Sequence, residues 1–421
     1  MKYNRPPNCL ISRRTFIFCS ASVLFSTPAL SSIRTKVFTP EMCGAIGNGI
    51  TPDGNAFHKL INLVNKQPGS EKIIIECRGK YILTGGPLLS YPFKPPRLKG
   101  IVKGIPPLTR DNIFIDARGA DFIIPKEFHW ERTKRGGNNK DHFAVGWHFK
   151  GDNCQMLGGR MIGNLDKRNT IRGPRPSNFG GQEFGLVMQG RNWKLIDVYA
   201  ENWGTDCLNA GASGEAINCT FKGARRNCVS IVPRLRFTKN SFVLLDRCSI
   251  SNAGNWPEHI RNNPGAGIDI EGIKNDLHAT VEIKNTVFIK NKMKDLQISR
   301  GARDCIIQGC TFSHDVKLQP EQKGGHTFIN NKFLGEARIK TIYGMHDNPP
   351  IIFRSNEFNC KNFPPFKHRV IKGINRKFQG QRLIFTDNKA LNWNGKFSSL
   401  PFFTKGNVFA NNETRTNKKL K

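Results

Sequence analysis

Acidic residues are scarce in this 421-residue sequence, which has 32 Asp+Glu against 65 Lys+Arg and a formal net charge of +33. Such a charge is typical of proteins that bind nucleic acid, an anionic surface or an acidic polymer. The Lys and Arg residues are scattered, and only short clusters such as Lys418-Lys419 stand out. The charge predicts an anionic partner and leaves its class open.

Long hydrophobic runs are almost absent, since only one apolar stretch, Phe16 to Leu30, approaches the length of a membrane-spanning helix. This excludes a polytopic membrane protein. A hydrophobic content of 38% over this length can bury a large core, which excludes a wholly disordered chain.

The apolar stretch follows Ser12-Arg13-Arg14-Thr15, and a paired Arg at this junction is typical of a twin-arginine export signal. We expect residues 1–31 to be a signal peptide cleaved near Ser31, and an uncleaved membrane anchor is the alternative. About fifteen apolar residues are short for a spanning helix, so we expect no stable membrane anchor after cleavage.

Cleavage would remove four basic residues and leave a charge of +29. The twin-arginine route carries folded proteins across the bacterial inner membrane, so it implies a periplasmic or secreted protein. Nucleic acid is scarce there and acidic polysaccharide is common. The favoured partner is therefore a polysaccharide, possibly acidic, and not nucleic acid; the sequence does not indicate an oligomeric state.

Sequence motifs for common cofactors are missing as well. The twelve Cys form no CxxC pair and no zinc spacing with His, and neither a nucleotide-binding Gly loop nor HExxH occurs. We expect no cofactor; the two carboxylates described below are oxygen ligands of the kind that calcium takes, but a pair alone does not support a calcium site. Cys219, Cys248 and Cys310 sit at strand-like positions, where they are expected to be small buried hydrophobes without disulfides.

A short unit repeats beyond Arg191, in which an apolar residue, a polar residue and Asn or its like precede a second apolar position. The units end about 21 to 38 residues apart, a period that indicates a solenoid. Their last residues are Phe221, Ile250, Phe288, Phe312, Phe333 and Phe358.

Strands this short cannot bury a face alone, but coils stacked about 4.8 Å apart share a continuous interior. Asn and Gly suit the corners because both tolerate positive φ. A β-sandwich is the alternative, yet hairpin signals such as Asn-Gly are few. The repeats predict an all-β right-handed parallel β-helix.

The N-terminal part predicts a cap for this solenoid. Residues Met42 to Asp53 are rich in glycine, and apolar residues then recur at helical spacing from Asn55 to Asn65. A strand, Lys72 to Cys77, follows. A short helix here would cover the open apolar end of the first coil.

The glycine-rich segment resembles the opening of parallel β-helix proteins of the pectate-lyase-like superfamily, which read roughly D-F-G-A-x-G-D-G-x-T-D-D-T before a helix. The chain keeps Gly44-Ala45, Gly47, Gly49 and Thr51, and has Met42, Asn48 and Pro52 at three acidic positions. Gly265 to Glu271 resembles a run frequent in bacterial members. The resemblance implies a β-helix over residues 32–410, followed by a basic tail, 411–421.

Asp269 and Glu271 are two residues apart on a predicted strand, so both point to one face while Ile268 and Ile270 point to the other. The isoleucines suit the core, which places the two carboxylates outward and facing water. Glycoside hydrolysis commonly uses two carboxyl groups, so this pair is our first candidate for catalysis. A solvated acidic pair is the alternative.

Three further candidates lie upstream. Asp206 begins a strand that we expect to lie two coils before Asp269, and Glu183 would fall one coil earlier. Both are predicted to be catalytic, although a turn Asp that accepts bonds from its own backbone is common. Trp203 is expected to stack on a sugar ring.

Basic side chains flank the strand between these acids. Arg225, Arg226 and Arg234 are predicted to bind substrate, because guanidinium groups match carboxylates bidentately. His259, just before the acidic strand, is a candidate base. In a lyase, a basic residue abstracts the C5 proton of a uronic acid while a cation neutralises the neighbouring carboxylate.

Three functions follow. The first is an exported glycoside hydrolase that acts through paired carboxylates in a groove on the β-helix. The second is a polysaccharide lyase on a uronic-acid polymer, indicated by the positive charge. The third is a non-catalytic, polysaccharide-binding or adhesive solenoid. The Tyr-Gly-x-Asp-Pro-His signature of alginate epimerases is absent.

Overall fold

Short parallel strands stack into three sheets in the computed structural model of the chain. The structure describes residues 35–69, 71–84, 101–125, 142–165, 182–232, 241–254, 265–271, 279–299, 302, 304–318, 325–334, 339–340, 349–359, 366–367, 383–392 and 408–415. The predicted export signal lies outside these residues.

The first sheet has thirteen strands. They are β1 (Thr35–Phe38), β3 (Lys72–Glu76), β6 (Ile113–Asp116), β9 (Gln155–Leu157), β12 (Trp193–Ile196), β15 (Gly214–Ile217), β18 (Ser241–Asp246), β21 (Ala279–Lys284), β24 (Ile306–Gln308), β27 (Thr327–Ile329), β30 (Ile351–Arg354), β33 (Leu383–Thr386) and β35 (Val408–Ala410).

The second sheet also has thirteen strands. They are β2 (Asn48–Pro52), β4 (Lys80–Ile82), β7 (Asp121–Ile123), β10 (Arg160–Ile162), β13 (Tyr199–Glu201), β16 (Thr220–Lys222), β19 (Ser249–Ser251), β22 (Val287–Ile289), β25 (Thr311–Phe312), β28 (Lys332–Phe333), β31 (Glu357–Asn359), β34 (Lys389–Leu391) and β36 (Glu413–Arg415).

The third sheet has ten strands. They are β5 (Ile101–Gly104), β8 (His142–Phe149), β11 (Gln182–Met188), β14 (Asp206–Ala210), β17 (Asn227–Ile231), β20 (Ala266–Ile270), β23 (Lys294–Ile298), β26 (Val316–Leu318), β29 (Ile339–Lys340) and β32 (Phe366–Lys367). Each coil takes one strand from each sheet in turn, as in β15, β16 and β17, so the chain is a right-handed parallel β-helix, as predicted.

The ends of the predicted repeat units form a ladder inside the second sheet. Phe221 pairs with Ile250 and Ile250 with Phe288, while Phe312 lies between the rings of Phe288 and Phe333 at centroid distances of 4.8 and 4.9 Å. All are buried. Because each coil sets the same position above the last, a large apolar side chain recurs along the ladder.

At the corners between the first and second sheets, one residue adopts the left-handed backbone conformation with positive φ, as the Asn-rich repeat predicts. Asn218, Asn285 and Asn330 have φ of 54°, 50° and 54°. The next residue of each corner points inward. This residue is Cys in three coils, at Cys219, Cys248 and Cys310. The nine cysteines that the structure describes are all free, and eight of them are buried. The expectation for Cys219, Cys248 and Cys310 is confirmed.

The inward corner position changes to Asn in the later coils. The Oδ1 of Asn356 accepts from Nδ2 and the backbone N–H of Asn331, at 2.9 and 3.0 Å. Its Nδ2 donates to Oδ1 of Asn388 at 3.0 Å and to the Phe328 carbonyl at 3.0 Å. A buried amide satisfied in this way fixes the register of the coils.

The predicted cap is present. A 3₁₀ helix, Glu41–Cys43, and the helix α1, Gly54–Asn65, lie at the N-terminal end. Phe57 of α1 is buried, with its ring 5.1 Å from that of Tyr81. Asp53, an acid of the glycine-rich motif, accepts from the backbone N–H of Ile46 at 2.7 Å and of Ile82 at 3.3 Å, so it ties the motif to the first coil.

The sheets run further than the predicted boundary at residue 410. The strand β36 pairs with β34 through Arg415, so the first part of the predicted tail belongs to the β-helix. Across the described ranges, no helix has the length and apolar character needed to cross a membrane.

Candidate functional site

A row of polar residues follows the outer face of the third sheet. Alternate residues of a strand point to opposite faces, so one row faces the core and the next faces outward. The inner row, in register from β14 to β26, is Leu208, Val229, Ile268, Leu296 and Val316, all buried in the hydrophobic core. The outer row is Asn209, Ser230, Asp269, Gln297 and Lys317.

Asp269 lies on the outer face, as predicted, but its carboxylate is covered. Its relative exposure is 5%, and Oδ1 accepts from Nε2 of Gln297 at 3.0 Å and from Oγ of Ser299 at 3.1 Å. The expectation that it faces water was wrong, because side chains from the next strand close over it. Burial raises the pKa of Asp269, and the cations of Lys294 and Arg226 oppose the rise. A carboxyl group of this kind suits proton donation.

Asp206 lies two strands before Asp269, as predicted, and is completely buried. Its Oδ1 accepts from Nε of Arg226 at 2.9 Å, and its Oδ2 accepts from Nη2 at 2.6 Å. The Asn227 backbone N–H also donates to Oδ1, at 3.3 Å. This bidentate pair occupies both oxygens of Asp206, so the placement favours a contact with Arg226 over the direct catalytic role expected from the sequence.

Glu271 follows β20 and lies near the same arginine. Its Oε1 is 3.5 Å from Nη1 of Arg226, and a third of its side chain, 33%, is exposed. Burial lowers the pKa of Arg226, but the carboxylates of Asp206, Glu271 and Asp269 outweigh it and raise that pKa overall. Arg226 therefore lies close to three of the four predicted acids, and Glu271 is the most exposed of these three.

Lys294, Gln297 and Ser299 complete the group and were missed from the sequence. Lys294 is 8% exposed, and its Nζ donates to Oε1 of Gln297. The available signal was the apolar pair Leu296 and Ile298, which aligns Gln297 with Asp269 once the repeat is set in register. The charged residues of the site come from four consecutive coils, those of β14, β17, β20 and β23, and no local motif links them.

Trp203 and Arg225 are the other predicted site residues whose side chains the structure describes. Trp203 is fully buried in the core, with Nε1 donating to the Met161 carbonyl at 3.1 Å, so the expectation that it stacks on a sugar was wrong. Arg225 donates from Nε to the Gly204 carbonyl. The backbone of Glu183 lies in β11, one strand before Asp206, as predicted.

The side chain of Glu183 lies outside the described residues, and so do Arg234 and His259. Among the residues that the structure does describe, no three His, Cys, Asp or Glu side chains are grouped to hold a metal ion.

A further buried carboxylate, Asp295, lies beside Lys294 and holds the next coil. Its Oδ1 accepts from Nδ2 of Asn291 at 2.8 Å, and its Oδ2 accepts from the backbone N–H groups of Ser313 and His314, each at 2.6 Å. Burial raises the pKa of Asp295 to about 6, against these three donors. Through these hydrogen bonds the side chain of Asp295 links β23 to the turn before β26.

Asp295 is expected to make stability depend on pH. Its folded pKa of about 6 exceeds the ordinary 3.8, so the folded state binds more protons between these values. The free energy of unfolding should therefore fall as pH rises through this window. Relative to Asp295→Asn, which does not titrate, the wild type should lose roughly 1–3 kcal/mol between about pH 4 and pH 7.5. Urea unfolding at both pH values measures this, and a difference that does not vary with pH would contradict it.

Comparison with known proteins supports the fold of the chain but does not assign the chain to a family. No protein-family model and no curated protein matches the chain. A surface adhesin of Streptococcus pneumoniae, PfbA, is similar in structure, with a TM-score of 0.53 and 12% identity over 90% of this chain and 92% of the adhesin. The A-module of the Azotobacter vinelandii mannuronan C-5 epimerase AlgE6 has a TM-score of 0.49 and 14% identity, over 90% and 97%.

Proposed function

We propose that the protein is an exported polysaccharide-degrading enzyme, a glycoside hydrolase that binds its polymer along the outer face of the third sheet. One observation carries this proposal. The buried Asp269, whose pKa is raised, and the partly exposed Glu271 beside Arg226 follow one another on that face. Two carboxyl groups in different environments are what acid and base roles require.

The chemistry assigns one role to each carboxyl group. Asp269, protonated, donates its proton to the glycosidic oxygen as the bond to the anomeric carbon breaks. Glu271, ionised, either takes a proton from the water that attacks that carbon or attacks it directly. Direct attack by Glu271 requires a short separation between the two carboxyl groups. Activation of a water molecule requires a longer one, which leaves room for that water.

The shape of the fold supports a polymer as the substrate. Coils about 4.8 Å apart repeat the outer row of the third sheet along the helix axis, so a long chain can contact several coils at once. Asn209, Ser230 and Gln297 on this row are buried and bonded to neighbouring side chains, whereas Glu271 and Lys317 are partly exposed and can meet a substrate.

A lyase acting on a uronic-acid polymer is the second candidate, and Lys294 favours it. The ammonium group lies next to Asp269, and Lys317 follows on the outer row. An ammonium group at this position can neutralise the carboxylate of a uronic acid, which makes the C5 proton more acidic.

A panel of neutral and acidic polysaccharides, incubated with the purified protein and analysed by mass spectrometry, tests the proposal. Hydrolysis adds one water for each bond cleaved. A lyase instead leaves an unsaturated product that absorbs in the ultraviolet. Binding of a polymer without any cleavage would overturn the enzymatic proposal. It would favour an adhesive solenoid instead, since the pneumococcal protein that shares the fold is a surface adhesin.

A further inference from the structure

Asp206 and Arg226 form a bidentate ion pair. Binding of a polymer does not require this arrangement. Asp206 is completely buried, and its two oxygens accept the Nε and Nη2 groups of the guanidinium. Nη2 also donates to Oγ of Ser230 at 3.2 Å, and Asn227 donates from Nδ2 to the same Oγ at 3.1 Å. Together these contacts fix the plane of the guanidinium.

A guanidinium fixed in this way has one nitrogen left to face the site. Nη1 points to Glu271, 3.5 Å from its Oε1, and the side chain of Arg226 is 29% exposed. Because the guanidinium is planar, two bonds to Asp206 determine where Nη1 lies. A cation at this distance favours the ionised form of a carboxylate.

From these contacts we propose that Asp206 and Arg226 form a positioning pair that holds Glu271 as an ionised proton acceptor beside Asp269. The inference rests on the proposed function for the roles of Glu271 and Asp269. It gives both members of the pair a role that the sequence did not predict, since Asp206 acts through Arg226 and not on the substrate. Arg226, in turn, binds carboxylates of the protein itself.

The effect of Arg226 on the ionisation of Glu271 can be distinguished from the summed effect of the other charged groups. Among the described residues, Nη1 of Arg226 is 3.5 Å from Oε1 of Glu271, Asp206 is bonded to the other side of the guanidinium, Asp269 precedes Glu271 on the outer face, and Lys294 acts on Asp269. The nearest charge dominates an interaction of this kind. Removing Arg226 together with Asp206 should therefore raise the pKa at which Glu271 titrates.

The experiment follows the titration of Glu271 by NMR in the full-length protein labelled with carbon-13 at the glutamate side-chain carboxyls, without any ligand. The signal that disappears in Glu271→Gln identifies the residue. In the double variant Asp206→Asn/Arg226→Gln, which leaves no unpaired buried charge, we expect the titration midpoint to rise by about one pH unit or more. Arg226→Lys keeps the charge without the planar fork, and we expect it to raise the midpoint less than the double variant does.

Lys317→Gln is the matched control, because it removes one positive charge from the outer row without touching Glu271. An unchanged midpoint in the double variant would overturn the proposal, and so would an equal rise in Lys317→Gln. Thermal unfolding of each protein reports the stability that the pair contributes, which the midpoint does not measure. A polymer panel without any product would sink the proposed hydrolase while leaving the titration result standing, so the two failures are distinguishable.

Discussion

Asp269→Asn is expected to lower polysaccharide hydrolysis at least about a hundredfold while the protein remains folded. The amide has the shape of the carboxyl group and keeps an oxygen that can accept from Gln297 and Ser299, the two donors to Asp269. It cannot deliver a proton to the glycosidic oxygen. Binding of the polymer should be retained, because the outer row of the third sheet is otherwise unchanged.

Asp246→Asn is the matched control, since Asp246 ends a strand of the first sheet and pairs with Arg247 at a corner away from the site. Initial rates of oligosaccharide release and thermal unfolding, measured for both variants and the wild type, check the prediction. Unchanged hydrolysis in Asp269→Asn would remove Asp269 as the acid. An equal loss in both variants would show that the effect is not specific to the site.

Phe333→Ala is expected to destabilise the protein strongly, with a loss of about 3–5 kcal/mol in the free energy of unfolding. Phe333 is fully buried between Phe312 and Phe358, at ring-centroid distances of 4.9 and 4.5 Å. Alanine leaves a cavity that the rigid coils cannot close, and it removes two stacked aromatic contacts.

Leu334→Ala gives the control, because Leu334 is the next residue along the chain and is 41% exposed. It should cost less than about 1 kcal/mol, as surface substitutions usually do. Urea unfolding followed by circular dichroism measures both variants. Equal losses at the two positions would contradict the assignment of Phe333 to the inner ladder.

Much of the fold was predictable because the β-helix repeats its environment. A residue at a given point of one coil meets the residue at the same point of the next, so Phe312, Phe333 and Phe358 indicate one ladder in the sequence. Asn218 and Cys219 indicate a corner for the same reason. The end at residue 410 was misplaced, because β36 is short and lies in a charged segment.

The site was predictable only in part. The alternation of Ile268, Asp269 and Ile270 gave the correct face, and the coil spacing placed Asp206 two strands away. Lys294 and Gln297 were missed because they join Asp269 through the stacking of strands. Trp203 was misassigned, since an aromatic residue beside a polar loop has the same sequence pattern whether it points inward or outward.

The amino-acid sequence by itself determined the repeating coil, its inward ladder of apolar side chains and the face on which Asp269 and Glu271 lie, because strand alternation and coil stacking are set by the local pattern. Only the tertiary structure decided which charges meet. Asp206, Arg226, Glu271 and Lys294 come from different coils, and their distances and their burial depend on side chains of neighbouring strands that no single segment specifies.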